Sequence, residues 1–337
     1  MKINNRRYIG CKSKLLDNIF KTVQKFGFSA ENSIADIFAG TGVVAERFAS
    51  NGFKTIVNDT LYSNIVVYKA LLGGGELRPD VIEKYLRTYN SIDSTNLEEN
   101  YFSKIYGGKY FAENDAKKIG YIRDLIEENK KELTEREYFY FISSLLYATD
   151  KIANTVGHFE SFLKKEPVEK GIGLNSFEII DYKYPSQIFN MDANQLVRSI
   201  KTEIAYIDPP YNARQYVNFY HVLENLARWN KPTEFEGNSM KFKRNELKSD
   251  YCRNKAPSLF SDLIENLKCK LIIVSYNNTY KAGSISSVNT ISSDYIIKTL
   301  EAKGKLSVEE LNYKAFNSGK TELQGHKEYL YICEVGK

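Results

Sequence analysis

The stretch SIADIFAGTGVVAERFASN, residues 33–51, sets two glycines between a short apolar run and a segment with helical spacing. The run SIADIF (33–38) predicts a strand, and VVAERFASN (43–51) predicts a helix. Gly40 and Gly42 lie at the join, where glycine permits a tight turn and a close approach of a ligand to the backbone. The stretch therefore predicts the first strand–turn–helix unit of an α/β sheet.

A second predicted strand, FKTIVND (53–59), ends on Asp59. An acid at this place commonly hydrogen-bonds the ribose hydroxyls of a bound nucleotide. The pattern predicts an adenosine-like ligand at the carboxyl edge of the sheet. Two alternatives stay open at this point. One is a plain strand–helix turn without a ligand, and the other is an NAD or FAD site, since Gly40-x-Gly42-x-x-Ala45 also satisfies the dinucleotide pattern.

The α/β pattern returns after a long helical block. Apolar runs predict three further strands: EIAYID (203–208), KLIIVSYNN (270–278) and KEYLYICEV (327–335). FYHVLENLARW (219–229) predicts a helix, and Thr134 and Glu137 have capping-box spacing ahead of another. We therefore predict one α/β sheet domain, 1–75 and 181–337, that carries a mainly helical insertion, 76–180.

Composition and charge limit the class of protein. The chain has 337 residues, 42% of them hydrophobic, and a net charge of +5, which is compatible with nucleic acid as a partner. Its four cysteines form no C-x-x-C pair and its three histidines are scattered, so we predict no metal site and no disulfide framework. No run approaches the roughly 18 apolar residues of a membrane span. A cytoplasmic protein without a membrane anchor is expected.

The stretch AYIDPPYNARQY (205–216) sets an acid, two prolines and an aromatic ring directly after a predicted strand. The prolines lack backbone donors, which leaves carbonyl oxygens free to accept hydrogen bonds. A carboxylate at Asp208 beside a proline carbonyl suits an exocyclic amine, and Tyr211 can stack on the ring that carries this amine. A base inside a duplex would have to be flipped out to reach such a pocket.

Asp-Pro-Pro-Tyr (208–211) together with DIFAGTG (36–42) resembles the amino-group DNA methyltransferases. The order of motifs is similar to that of the class-alpha, Dam-like adenine-specific enzymes. Four further stretches agree: YIGCKSKLL (8–16), VND (57–59), NMDANQL (190–196) and VSYNN (274–278). The resemblance implies a Rossmann-like S-adenosylmethionine-dependent methyltransferase sheet, with the helical insertion as target-recognition lobe. Tyr8 departs from the Trp that Dam-like enzymes often carry, but its ring still allows stacking.

The resemblance also implies roles for single residues. Asp208 would accept a hydrogen bond from the target amine and Tyr211 would clamp the base, with Pro209 and Pro210 shaping the catalytic turn. Asp208 is also counted among the residues that border S-adenosylmethionine. The others in that set are Tyr8, Lys12, Asp36, Phe38, Gly40, Gly42, Asp59 and Asp192. For two of them we keep alternatives: Lys12 as a solvated charge and Asp192 as a helix N-cap.

Two segments are candidates for contact with double-stranded DNA. Arg214, Gln215 and Tyr216 follow the catalytic turn and suit phosphate or orphan-base contacts. The basic stretch 241–255 includes Lys241, Lys243 and Arg244 and suits a DNA-backbone loop. A solvated charged loop is the alternative for this stretch, and Arg214 could equally pair with an acid inside the fold.

The leading hypothesis is site-specific methylation of the N6 amine of a flipped adenine in duplex DNA. The methyl donor would be S-adenosylmethionine, and the protein would form part of a restriction-modification system with a possible cognate restriction endonuclease. The alternatives are methylation of cytosine N4 in DNA, methylation of RNA, and a catalytically silent DNA-binding relative.

Overall fold

The structure is a computed structural model that describes residues 1–277, 289–312 and 327–336. It contains two compact units, each built from several segments of the chain. The sheet unit comprises Gly10–Thr60, Tyr182–Tyr216 and Leu247–Lys337. The helical unit comprises Met1–Ile9, Leu61–Asp181 and Val217–Glu246.

The helices and strands of the described residues alternate at both ends of the chain, as the sequence predicts. The helices are α1 (Leu16–Lys25), α2 (Val43–Ala49), α3 (Tyr62–Leu71), α4 (Pro79–Asn90), α5 (Tyr101–Tyr106), α6 (Glu113–Glu128), α7 (Glu135–Ile152), α8 (Ala193–Ser199), α9 (Tyr216–Arg228), α10 (Ala256–Asn266) and α11 (Ser293–Glu301). The strands are β1 (Ser33–Asp36), β2 (Lys54–Asn58), β3 (Gln187–Phe189), β4 (Ile204–Ile207), β5 (Phe235–Glu236), β6 (Lys241–Phe242), β7 (Leu271–Asn277), β8 (Gly304–Asn312) and β9 (Lys327–Val335).

In the described part of the sheet unit, seven strands form one sheet in the order β3-β2-β1-β4-β7-β9-β8. The first five are parallel, and β9 runs antiparallel between β7 and β8. The central strands β1, β4 and β7 are buried almost throughout, which explains why the sequence shows them as continuous apolar runs. The predicted α/β fold with a Rossmann-like sheet is confirmed.

One face of this sheet is covered by helices from the second half of the chain. Leu196 of α8, Phe260 of α10 and Leu300 of α11 join strand residues in a common apolar core. This core packs the three helices against the sheet, and the parallel pairing of the first five strands places their carboxyl ends at one edge. The prediction for Asn278, the last residue of the run 270–278, lies outside the described residues.

The helical unit is built around α7. Every residue from Arg136 to Asp150 in this helix is buried, and Thr134 and Glu137 form the predicted capping box at its start. Glu224 of α9 is also buried, and its carboxylate accepts the backbone N–H groups of Tyr62 and Ser63 at 2.9 Å each. A side chain distant in sequence thus satisfies the first donors of α3, where a negative charge is favoured.

The predicted insertion 76–180 lies within the helical unit. This unit also takes in residues 1–9, 61–75 and 217–246, which the sequence division assigns to the catalytic domain. Its role in target recognition stays a prediction. Among the helices of the described residues, none combines the length and the apolar character needed to cross a membrane.

Candidate active site

Three acids lie at the carboxyl ends of three adjacent strands in the sheet unit. Asp36 ends β1, Asp59 follows β2, and Asp208 follows β4, with β1 between the other two. The carboxyl edge of a parallel sheet is where such folds bind ligands. The topology therefore brings acids from distant parts of the chain to one binding edge.

The glycine turn after β1 needs the left-handed backbone that glycine supplies. Gly40 has φ 55°, and Gly42 has φ 79° where it caps α2. The N–H of Gly40 donates to Oδ2 of Asp59 at 2.9 Å. Asp59 therefore holds the turn itself, in addition to the ribose contact that the family resemblance implies.

Asp36 carries a buried carboxylate at this edge. Asp36 is 2% exposed, and neither oxygen forms a hydrogen bond of standard geometry within the described residues; the nearby backbone N–H of Ala45 offsets only part of the burial. Burial, with the charge of Asp208 adding to it, raises the pKa of Asp36 well above its usual range. A buried carboxylate without a partner is costly, and a cationic ligand group would satisfy it.

Replacement of Asp36 by asparagine is expected to raise the free energy of unfolding of the ligand-free protein by about 1–3 kcal/mol near neutral pH. The raised pKa means that the folded protein binds this proton more tightly than the unfolded chain does. The destabilising effect of the charge is therefore complete above the raised pKa and is lost as pH falls toward the ordinary aspartate value. The extra free energy of unfolding of Asp36→Asn over the wild type should therefore shrink as pH falls.

Urea unfolding of both proteins across a pH series measures this difference. Asp17→Asn, at an exposed aspartate of the same unit that pairs with Arg47 at 2.9 Å, is the matched control and should change the free energy of unfolding by no more than about 1 kcal/mol at any pH. A difference between Asp36→Asn and the wild type that does not change with pH would contradict the assignment.

The Asp-Pro-Pro-Tyr turn is joined to Lys12 by short polar contacts. Lys12 Nζ lies 2.8 Å from Oδ2 of Asp208 and donates to the Tyr211 hydroxyl at 2.8 Å. The Tyr211 hydroxyl is in turn 2.7 Å from Oδ1 of Asp208. Lys12 is 6% exposed, so the alternative of a solvated charge is wrong.

Electrostatics keep both donors of this cluster protonated. Burial alone would lower the pKa of Lys12, but the carboxylates of Asp208 and Glu328 outweigh it and raise this pKa well above the ordinary value. Burial and the same two carboxylates raise the pKa of Tyr211 well above its usual value. Lys12 therefore stays an ammonium and Tyr211 stays a neutral hydroxyl donor.

The ring of Tyr211 is held from several sides. It lies 4.6 Å from the ring of Tyr276, and Lys12 Nζ lies 4.9 Å from its centroid. The backbone oxygen of Tyr211 accepts from the N–H of Thr290 at 2.8 Å and from the Tyr276 hydroxyl at 3.2 Å. A ring fixed in this way is suited to stacking, because little side-chain freedom is left to lose.

Sequence reasoning missed Glu328. This residue of β9 is 2% exposed, and its Oε1 accepts from the Tyr211 hydroxyl at 2.5 Å. The signal that could have found it is an acid at the start of an otherwise apolar strand. If that strand is antiparallel, its start lies at the carboxyl edge of the parallel strands, beside the acids described above.

The remaining cofactor candidates have different surroundings. Tyr8 belongs to the helical unit, where its ring stacks on Tyr220 at 4.7 Å with an interplanar angle of 4°. Phe38 packs edge-on against Tyr251 at 5.0 Å. Asp192 caps α8, accepting the N–H groups of Asn194 and Gln195. The N-cap role for Asp192 is thus confirmed, and its contact with a cofactor stays a prediction.

The candidate DNA contacts differ in exposure. Arg214 and Lys243 are exposed, and Lys241 and Tyr216 are partly buried. The amide of Gln215 exchanges two hydrogen bonds with the backbone of Ser249. Arg244 is 7% exposed, and its guanidinium binds Asn218, Glu236 and the carbonyl of Phe242. Gln215 and Arg244 therefore stabilise their own units, and Arg214 and Lys243 are the most exposed of the set.

Comparison with known families identifies the chain. Residues 8–279 match the family described as D12 class N6 adenine-specific DNA methyltransferase. The chain belongs to this family. The match begins at Tyr8 and contains the glycine turn and the Asp-Pro-Pro-Tyr turn, so the resemblance seen in the sequence is confirmed.

Three relatives illustrate the range of the family. The modification methylase StsI of Streptococcus sanguinis is 38% identical over 330 residues, which is 93% of this chain and 49% of the relative. The Type II methyltransferase M.NlaIII of Neisseria lactamica is 32% identical, with 97% of this chain and 98% of the relative covered. M.CviAII of Paramecium bursaria Chlorella virus 1 is 28% identical, with 99% of each covered. The chain thus spans about half the length of the first relative and nearly all of the other two.

Proposed function

We propose that the protein transfers a methyl group to the exocyclic N6 amine of an adenine flipped out of duplex DNA. The observation that supports this most is the arrangement of Asp208 and Tyr211, joined at 2.7 Å on the edge that also carries the glycine turn. Together they offer a hydrogen-bond acceptor for an amine and an aromatic face for the ring that carries it.

The methyl donor we propose is S-adenosylmethionine, which supplies an electrophilic methyl group on its sulfonium. The unpartnered carboxylate of Asp36 fits the cationic amino group of the methionine portion. The turn at Gly40 and Gly42 would let this portion approach the backbone closely. Asp59, at the end of the next strand, would accept hydrogen bonds from the ribose hydroxyls.

Asp208 would act as the acceptor that prepares the target amine. A carboxylate offers about four lone-pair sites, so the contacts from Lys12 and Tyr211 leave room for another donor. An N–H group of adenine donating to Asp208 would keep the amine nitrogen pyramidal, with its lone pair directed at the methyl group. The new bond between nitrogen and methyl would replace the methyl–sulfur bond of the donor, which leaves as a thioether, and the amine would give up one proton. This transfer needs no covalent bond to the protein, so positioning and polarisation supply most of the rate.

Tyr211 would hold the flipped base. Base–aromatic stacking contributes about 1–3 kcal/mol per base in comparable sites. Flipping a base out of the duplex costs a few kcal/mol, because its pairing and stacking are lost. Contacts in the pocket must offset this cost. The fixed ring of Tyr211 would return part of that cost.

DNA is the proposed partner, with Arg214 and Lys243 as exposed side chains for its phosphates. Modification methylases and Type II methyltransferases among the relatives support a role in a restriction-modification system. We extend this proposal to a cognate restriction endonuclease with the same recognition sequence. The cytoplasmic location expected from the sequence stays a prediction.

The proposal is tested by supplying S-adenosylmethionine with unmethylated duplex DNA, single-stranded DNA or RNA, and measuring methylated nucleosides by mass spectrometry after hydrolysis. N6-methyladenine from duplex DNA is the expected product. N4-methylcytosine would keep the chemistry and overturn the target base, and methylation of RNA alone would overturn the DNA substrate. Binding of S-adenosylmethionine without any methylated base would overturn the proposed reaction.

A further inference from the structure

The geometry points to Glu328 as a positioning residue for methyl transfer. Its carboxylate would hold the Tyr211 hydroxyl and the Lys12 ammonium so that Asp208 keeps its accepting capacity for the adenine amine. This inference rests on the proposed function and deepens it, because it adds a residue outside the Asp-Pro-Pro-Tyr turn to the same site.

Strand direction places Glu328 at the reacting edge. β9 runs antiparallel to β7, and Glu328 near its start pairs with Asn277 at the end of β7. β7 in turn lies beside β4, whose carboxyl end leads into Asp208. An acid at the beginning of β9 therefore reaches the edge where the parallel strands end.

Three polar groups of the sheet unit meet at one oxygen of the buried Glu328 carboxylate. Its Oε1 accepts from the Tyr211 hydroxyl at 2.5 Å and from Ser275 Oγ at 2.9 Å, and it lies 3.4 Å from Lys12 Nζ. Lys12 also pairs with Asp208 at 2.8 Å. Two buried carboxylates therefore share one ammonium. Because removing these charges from water is costly, such an arrangement adds little to the stability of the fold, which favours a functional role.

Sharing of the donors has a chemical consequence. A tyrosine hydroxyl carries one proton and can donate it to one acceptor at a time. Asp208 and Glu328 both lie within hydrogen-bond distance of the Tyr211 hydroxyl, at 2.7 and 2.5 Å. When the proton goes to Glu328, a lone pair of Asp208 stays available to the amine. Lys12 likewise interacts with Glu328 as well as with Asp208. Without Glu328, the whole attraction of the ammonium would act on Asp208.

Removal of Glu328 would turn both donors onto Asp208. The carboxylate would then be a weaker acceptor for adenine although nothing that touches the substrate has changed. Glu328 therefore acts through Tyr211 and Lys12, and its loss should lower kcat rather than raise the KM for S-adenosylmethionine.

The test is a double-mutant cycle with Glu328→Gln, Tyr211→Phe and the combined variant, measured as kcat on a methylatable duplex. Glu328→Gln should lower kcat about 10- to 100-fold, as expected when a hydrogen bond to a charged group is lost. Tyr211→Phe removes the hydroxyl that would turn onto Asp208 when Glu328 is lost, so the combined variant should lose less activity than the product of the two single losses. Glu334→Gln, an exposed position of the same strand, is the matched control and should keep the wild-type rate.

Several outcomes would overturn the inference. A wild-type kcat in Glu328→Gln, or strictly additive losses in the cycle, would show that Glu328 does not act through Tyr211. If Glu328→Gln fails to fold, Ser275→Ala decides, since it removes one hydrogen bond that orients Glu328 and keeps the charge. It should give a smaller fall in kcat, and an unchanged rate would overturn the inference. A wild type that methylates no adenine would instead overturn the proposed function.

Discussion

Replacement of Asp208 by alanine is expected to lower kcat for adenine methylation about 10³-fold, the scale seen when a well-placed acid–base or electrostatic group is removed. The variant loses the only charged acceptor that the Asp-Pro-Pro-Tyr turn offers to the target amine. Lys12 keeps a carboxylate neighbour in Glu328 at 3.4 Å, so the site retains a balanced charge and the protein should remain folded. The loss is therefore expected in the chemical step.

Single-turnover methylation with saturating DNA and S-adenosylmethionine measures this step directly. Asp208→Asn should lose less activity than Asp208→Ala, because the amide oxygen can still accept a hydrogen bond. Binding of S-adenosylmethionine should change far less than the rate in both variants. Asp17→Ala, at an exposed position of the same unit, serves as control. Near-wild-type turnover in Asp208→Ala would remove Asp208 from the reaction.

Replacement of Lys12 by methionine should lower the free energy of unfolding by about 3–5 kcal/mol at neutral pH, the usual cost of breaking a buried ion pair by removing one partner. Methionine fills similar space, so the effect reports the charge rather than a cavity. Asp208 and Glu328 are then left as two buried carboxylates without a cation. Methylation should also fall, since the same ammonium orients Asp208 and Tyr211.

The stability loss in Lys12→Met is expected to depend on pH. Burial already raises the pKa of Asp208 above its ordinary value, and loss of the Lys12 ammonium, which lowers this pKa, would make the folded protein hold the Asp208 proton still more tightly than the unfolded chain does. The free energy of unfolding of Lys12→Met relative to wild type should therefore recover as pH falls through the raised pKa of Asp208 toward the ordinary aspartate value. Urea unfolding across pH checks this, with Lys21→Met on the surface of α1 as control. Adding Glu328→Gln to Lys12→Met should restore part of the loss, and a further loss of stability would contradict the shared-ammonium arrangement.

The features that could be predicted from the sequence are those set by local chemistry. A turn that needs positive φ calls for glycine, and Gly40 and Gly42 provide it. A helix start with exposed N–H groups calls for a cap, and Thr134 with Glu137 provides one. Continuous apolar runs mark strands buried on both faces, which is how the runs around residues 33–38, 203–208 and 327–335 identify β1, β4 and β9.

The features that could not be predicted depend on pairing between distant segments. β8 was missed because it is an edge strand with many polar residues, and so lacks the apolar pattern of the central strands. The partners of Gln215 and Arg244 within the fold could not be predicted either, because composition does not tell whether a polar side chain already has one; their contact with DNA stays a prediction. Glu328 belongs to the same group, since its importance depends on the direction of β9.

The cluster at the sheet edge is assembled from residues far apart along the chain. Lys12 and Tyr211 are separated by 199 residues, and Tyr211 and Glu328 by a further 117. β7 is complete at Asn277, and β9 begins only at Lys327. At translation rates of roughly 5–20 residues per second this leaves about 3–10 seconds in which β7 would present an open edge to other nascent chains, a known route to aggregation. Synthesis and insertion of β9 therefore come last, and only then can Glu328 reach Tyr211 and Lys12 and complete the cluster.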